Sequence, residues 1–272
     1  MKPPENYTAK GRGAIMTSSR SCMLRPVFSI LLLTTWACAA SAQSDTGRRI
    51  QTSRSVNLDE MIDVPSAEVL DYGSFAVTSR FFSQGGLLAS MSFGVFRRLM
   101  LGPSMEIDRY VGSGTTDLQR PELQFKFRFY DGYRYLPAAA IGFDSQGYRF
   151  EKSKDDYLEQ ERGLYLAFTE ELFTSGMEIT AGGNISDFEH DSLHGFTALS
   201  WVAQNTVGLF AEYDNLRSLR WNRLNAGLNL FVSPFVQVGF HVRDILVDKT
   251  YQDSDIQRKP ERIIKLRYIG SF

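Results

Sequence analysis

Cysteine is nearly absent. The 272-residue chain holds two, Cys22 and Cys38, and both fall within its first 42 residues. A disulfide scaffold is therefore excluded for everything downstream. Histidine is scarce as well, with three in all. No apolar run reaches the roughly 18 residues that a transmembrane helix needs. That excludes a multi-span helical membrane protein but not a β-barrel, in which only alternate strand residues face lipid. Charge of one sign is also lacking, because 30 Lys and Arg stand against 31 Asp and Glu. The chain has no basic surplus of the kind nucleic-acid binders carry, so nucleic acid is not an expected partner.

The first 42 residues differ from the rest. Lys2, Lys10, Arg12, Arg20 and Arg25 precede an apolar stretch from Val27 to Ala40, which ends in Ala40-Ser41-Ala42. A basic region, an apolar core and small residues at −3 and −1 describe a secretory signal peptide over 1–42, with cleavage expected before Gln43. Met16 and Met23 are alternative starts that leave a normal leader. Lipidation at Cys38 is disfavoured, since Thr35-Trp36-Ala37 lacks the usual Leu at −3. Cleavage would leave 230 residues with 25 basic and 30 acidic side chains.

Residues 43–60 are polar and aperiodic and read as a mobile periplasmic arm. Residues 61–72 (MIDVPSAEVLDY) read as a short apolar turn that tucks into a barrel mouth. From Gly73 onward the period is two. Leu123, Phe125, Phe127 and Phe129 share one face, while Gln124, Lys126 and Arg128 share the other. Val236, Val238, Phe240 and Val242 oppose Gln237, Gly239, His241 and Arg243 in the same way. Such faces require an apolar medium on one side and polar groups on the other. Twelve strands are expected, at 73–84, 87–96, 99–108, 121–130, 136–144, 162–169, 176–185, 194–203, 206–214, 222–232, 235–244 and 262–272. The fold class is all-β, a closed antiparallel transmembrane barrel of the outer-membrane type spanning 73–272.

Loop lengths support this. One set of connections is short, and the other, at 109–120, 145–161, 186–193, 215–221 and 245–261, is long apart from a tight Gly85-Gly86 turn. Short periplasmic turns and long external loops are the asymmetry expected of a Gram-negative outer-membrane barrel with both termini periplasmic. The 145–161 and 245–261 loops are too charged for lipid and are expected to face water, where a ligand or partner could meet them. Tyr110, Tyr130, Tyr133, Tyr135, Tyr213 and Tyr268 sit at segment ends, as interfacial girdles require. Phe272 closes the chain at an outward position, the aromatic end that barrel insertion commonly uses. Outer-membrane lipids and the barrel assembly machinery are thus expected partners.

Several stretches carry a family resemblance: 65–73 (PSAEVLDYG), 93–98 (FGVFRR), 125–129 (FKFRF), 136–144 (LPAAAIGFD), 211–215 (AEYDN) and 222–227 (NRLNAG). Together they span about 65–272, and in their order the chain resembles the YjbH-like outer-membrane β-barrel proteins. The resemblance implies envelope assembly or surface exopolysaccharide secretion, with polysaccharide or envelope secretion proteins as partners. It supplies no catalytic residues.

The inward face is charged at Arg80, Lys126, Arg128, Glu178, Glu212, Asp214, Arg223, His241, Arg243, Lys265 and Arg267. Charges in a narrow lumen must be paired or hydrated. They read either as a network that holds the barrel's shape or as a polar track for small solutes or glycan segments. A general passive small-solute pore is the alternative function. A lipid-modifying barrel enzyme is a further one. The outer-membrane phospholipases place a strand His two positions before a nucleophilic Ser, yet His241 is followed by Val242 and Arg243. Glu189, His190, Asp191 and His194 could gather round an ion, but a solvated loop explains them equally. No phosphate loop, dinucleotide fingerprint or nucleophile elbow is present. The expected protein is non-enzymatic, with no catalytic residue, metal or cofactor.

Overall fold

The period of two becomes a closed barrel in a computed structural model that describes residues 56–113, 115–133, 136–151, 156–159, 161–172, 174–186, 193–216, 222–246 and 259–272. The expected leader, most of the expected arm, and Glu189, His190 and Asp191 lie outside the described residues. The strands are β1 (Ser74–Phe82), β2 (Gly86–Phe96), β3 (Leu99–Asp108), β4 (Asp117–Tyr130), β5 (Ala138–Asp144), β6 (Tyr148–Glu151), β7 (Asp156–Glu159), β8 (Gly163–Glu171), β9 (Met177–Ile185), β10 (Leu193–Ala203), β11 (Val207–Asp214), β12 (Arg223–Ser233), β13 (Val236–Arg243) and β14 (Glu261–Ser271). Twelve of them form the barrel, each antiparallel to its sequence neighbours, and β1 closes it against β14. Closure removes both sheet edges, so no open ladder faces hydrocarbon.

The differences from the sequence reading have local causes. A bulge between Met105 and Ile107 lets β4 keep pairing back to Asp117, beyond the expected start at 121. β5 begins at Ala138 rather than 136, because Leu136 and Tyr133 bond each other across the preceding turn. The 145–161 loop does not simply extend into water. It forms a second hairpin, β6–β7, whose Tyr157 and Glu159 are buried.

Alternation places the faces. Phe125, Phe127, Leu199, Trp201, Phe240, Ile264 and Leu266 are all exposed on the outer wall and form an apolar belt around a closed sheet. A contiguous exposed surface of this kind has no aqueous use, and it marks the lipid-facing band of an outer-membrane barrel. Inside, polar and charged side chains alternate with Ala, Gly and a few aromatics.

The lumen is filled from one end. The apolar turn expected at 61–72 does tuck into the barrel, but residues 56–60, expected in the periplasmic arm, go in with it: 56–70 fold as a hairpin inside the barrel, entering through the rim where β1 begins and β14 ends. A Glu60–Pro65 bridge and a Met61-to-Val64 backbone bond close its tip, while Asn57 Nδ2 donates to the Val69 carbonyl at 2.9 Å across its base. Val56, Leu58, Met61, Ile62 and Val64 pack on Tyr165, Ala167, Phe196, Ala198, Val202, Phe210 and Phe231 of β8 and β10–β12. Full burial of each such aliphatic side chain contributes about 1.5–3 kcal/mol, which explains why a segment with four carboxylates enters at all. Gly73, at φ +78°, turns the chain from the hairpin into β1. Gly94 makes room for the crossing, since a Cβ there would lie 2.0 Å from the Asp71 carbonyl oxygen.

Candidate functional site

The inward charges converge on the tip of the 56–70 hairpin. Glu212, wholly buried on β11, accepts backbone N–H bonds from Ile62 at 2.6 Å, Asp63 at 3.0 Å and Val64 at 3.1 Å. Asn225 Nδ2 completes the set at 3.2 Å. One carboxylate thus satisfies a turn whose donors would otherwise be orphaned in a water-poor interior. Asp63 returns the favour to the wall. It pairs with Arg80 of β1 and with Arg243 Nε of β13 at 2.6 Å, and Asn225 Nδ2 donates to it at 3.1 Å. Burial alone would push the Asp63 carboxyl up, but Arg243, Arg80 and Arg223 outweigh it and hold it far below its ordinary range.

The flanks of the hairpin are held similarly. Lys126 donates to the carbonyls of Asp59 and Glu68, the latter at 3.1 Å. Arg267 reaches the Asp59 carboxylate at 2.6 Å. Lys265 donates to the Met61 carbonyl at 3.2 Å and to Glu60 at 3.3 Å. The Ala67 N–H donates to Thr169 Oγ1 at 2.9 Å.

Of the residues the sequence nominated, the structure therefore gathers Arg80, Lys126, Glu212, Arg243, Lys265 and Arg267 around one hairpin. The others lie elsewhere on the inner face. Asp214 pairs with Arg162 at 2.9 Å. Arg223 pairs with Glu159 of the second hairpin at 3.0 Å. His241 is buried against Gly227 and Gly239, with Nε2 2.8 Å from Asn229 Oδ1, and it faces the lumen rather than lipid. Arg128 pairs with Asp131 at the opposite rim, and Glu178 is buried on β9. Phe272 is exposed outside, its ring stacked on Phe75.

The second hairpin enters the lumen from the loop rim. The Tyr148 ring lies 4.4 Å from the Arg243 guanidinium carbon and 5.0 Å from that of Arg80. Glu159 bonds Arg243 at 3.0 Å, and Arg149 donates its backbone N–H to Glu106 at 3.0 Å and its guanidinium to Glu261 at 3.2 Å. Asp63 from one hairpin and Glu159 from the other therefore share Arg243.

Sequence reading missed these partners: Asp59, Glu60, Asp63 and Glu68 on the first hairpin, Tyr148 and Glu159 on the long loop, and Arg162, which stands just before β8. A signal for them existed. The nominated wall carries seven Lys and Arg against three carboxylates, an excess a narrow lumen cannot bury unmatched.

The hairpins do not fill the lumen. A polar cavity of about 110 Å³ lies beside their meeting point, and one of about 40 Å³ lies on the β1–β5 side of the first hairpin.

No family model matches the chain, and no curated protein matches it. Solved structures with a similar fold include the KdgM porin, with 8% identity, a TM-score of 0.47, and coverage of 72% of this chain and 98% of that one. The NanC porin aligns with 9% identity and a TM-score of 0.40 over 73% of this chain and 99% of its own. Omp33 of Acinetobacter baumannii aligns with 10% identity and a TM-score of 0.35 over 75% and 100%.

Proposed function

We propose that this chain is a narrow channel of the Gram-negative outer membrane, passing small solutes passively around an internal plug, with its terminal rim in the periplasm. The observation that carries the reading is the polar space left beside the 56–70 hairpin inside a closed, lipid-facing barrel. Wide porin traffic is ruled against while both hairpins are seated, because a cavity of about 110 Å³ holds only a few waters or one small ion or molecule. The charged residues serve first to seat the plug and only second to line the path. Insertion by the barrel assembly machinery belongs to the same reading.

Planar-bilayer recording tests it. The intact chain should give a small, steady conductance, and a membrane that stays silent at every voltage would overturn the channel reading. The exopolysaccharide role implied by the YjbH-like resemblance makes a separate demand: a glycan chain can pass only if the plug withdraws. A deletion strain with normal surface polysaccharide but slower small-solute uptake favours the channel over that role.

A further inference from the structure

We propose that the two lumen cavities form one passage and that Glu60, carried by the plug itself, makes that passage selective for small monovalent cations. The inference rests on the channel reading and adds its substrate class.

The two cavities have six lining residues in common: Glu60, Asp63, Ser90, Gln124, Asp144 and Arg162. They are therefore adjoining chambers with one neck, which runs between the plug and the β2–β5 wall. Ser90 of β2, Gln124 of β4 and Asp144 of β5 line the neck from the wall side, two hydrogen-bonding groups and one carboxylate. Ser186, which lines the larger chamber, is 93% buried, and its Oγ has no hydrogen-bond partner among the described residues. A buried hydroxyl without a protein partner is the mark of a wetted chamber.

Charge at the neck is unequal. Three carboxylates face one guanidinium, and that guanidinium is already committed, because both Arg162 terminal nitrogens lie on Asp214, at 3.3 and 2.9 Å. Asp63 is likewise committed to Arg80 and Arg243. That leaves Glu60 and Asp144. Asp144 makes no ion pair with a described residue; it accepts only the Gln146 N–H, at 3.0 Å. Glu60 touches Lys265 at 3.3 Å and Arg80 at 3.7 Å on its wall side, yet its side chain remains 39% exposed, which in this position means exposed to the lumen. A mobile cation in the neck meets two carboxylates that the protein leaves at least partly unmatched, and an anion meets the same two as repulsion.

The test is the reversal potential of the intact, full-length barrel in a planar bilayer under a potassium chloride gradient near neutral pH. The wild type should prefer potassium over chloride by a factor of about five or more, since attraction to one carboxylate at about 4 Å alone enriches a cation by about that much even in the dielectric of bulk water. Glu60→Gln should reduce that preference, and Glu60→Lys should invert it. Asp144→Asn provides a second, independent reduction should the Glu60 variants fail to show the heat-dependent gel shift of a folded barrel. A cation preference that survives both Glu60→Lys and Asp144→Asn overturns this inference and leaves the channel reading standing. Wild-type anion preference overturns it as well. A silent wild-type bilayer instead removes the channel reading, and the passage with it.

Discussion

The 56–70 hairpin carries five apolar side chains into the lumen, seats them against aromatic and aliphatic wall residues, and gives its tip amides to Glu212. The 148–159 hairpin enters from the other rim with Tyr148, Arg149, Tyr157 and Glu159, and its contacts to the barrel are mainly ion pairs, hydrogen bonds and rings set against guanidinium groups, with one edge contact of the Tyr148 ring on Phe82. The first is bonded as a piece of the core is bonded. The second is bonded as a surface loop is, only in a drier place. Polar attachments of that kind exchange for water at small net cost, whereas apolar burial does not. The difference predicts unequal permanence: a fixed plug on the terminal side and a more readily released cover on the loop side.

Removing residues 56–70 should break the comparison most completely. It leaves Phe196, Phe210 and Phe231 without their cover and Arg80, Lys126, Lys265 and Arg267 without their partners. The expected result is a large, sustained rise in single-channel conductance together with a lower unfolding temperature. Unchanged conductance would mean that the hairpin does not set the size of the path.

Asp63→Ala comes next in size. Arg80 and Arg243 would lose the carboxylate between them, and a buried pair broken on one side costs about 3–5 kcal/mol. Denaturant unfolding of the lipid-reconstituted barrel measures this, and a loss below about 1 kcal/mol, the size of an exposed pair, would show that the tip is not anchored as described. Glu159→Gln should be milder, at about 1.5–3 kcal/mol for a charge-assisted bond, since Arg243 keeps both Asp63 and Glu261. Its clearest sign should be faster proteolysis within the second hairpin while conductance through the plugged path stays low. Equal loss of both hairpins on that substitution would erase the distinction between them.

Much of the barrel was legible in the sequence because alternation is a local signal: each strand declares its two faces without reference to any other. Phe127, Phe240 and Leu266 face lipid and Lys126, His241 and Lys265 face the lumen wherever the shear places them. What meets what inside is a non-local fact. Glu212 and Ile62 are 150 residues apart, and Arg243 and Asp63 are 180 apart, so no window of sequence contains either pair. The plug itself was half legible. MIDV in 61–64 read as an apolar turn near the mouth, but Val56 and Leu58 are separated by Asn57 and followed by Asp59 and Glu60, and in that company they passed for a solvated arm. Counting unmatched wall cations, rather than seeking periodicity, would have pointed to those acids.

The smallest effect concerns acid. Burial alone would raise the Glu159 carboxyl, but Arg223, Arg243 and Arg149 outweigh it and hold it down at about 2. A carboxyl depressed in the folded state contributes stability that is complete above its unfolded value of about 4.3 and is lost as pH falls through the folded one. The cover should therefore keep its attachments to Arg223 and Arg243 through ordinary acidification and surrender them only near pH 2. Carboxyl-carbon NMR of the folded barrel in detergent, assigned by the Glu159→Gln variant, should place the Glu159 midpoint near 2. A midpoint near 4.3 would show a carboxylate that water already solvates. In that event the second hairpin would be open to solvent even at neutral pH, and the contrast with the plug would be one of position inside or outside the lumen rather than of bonding within it.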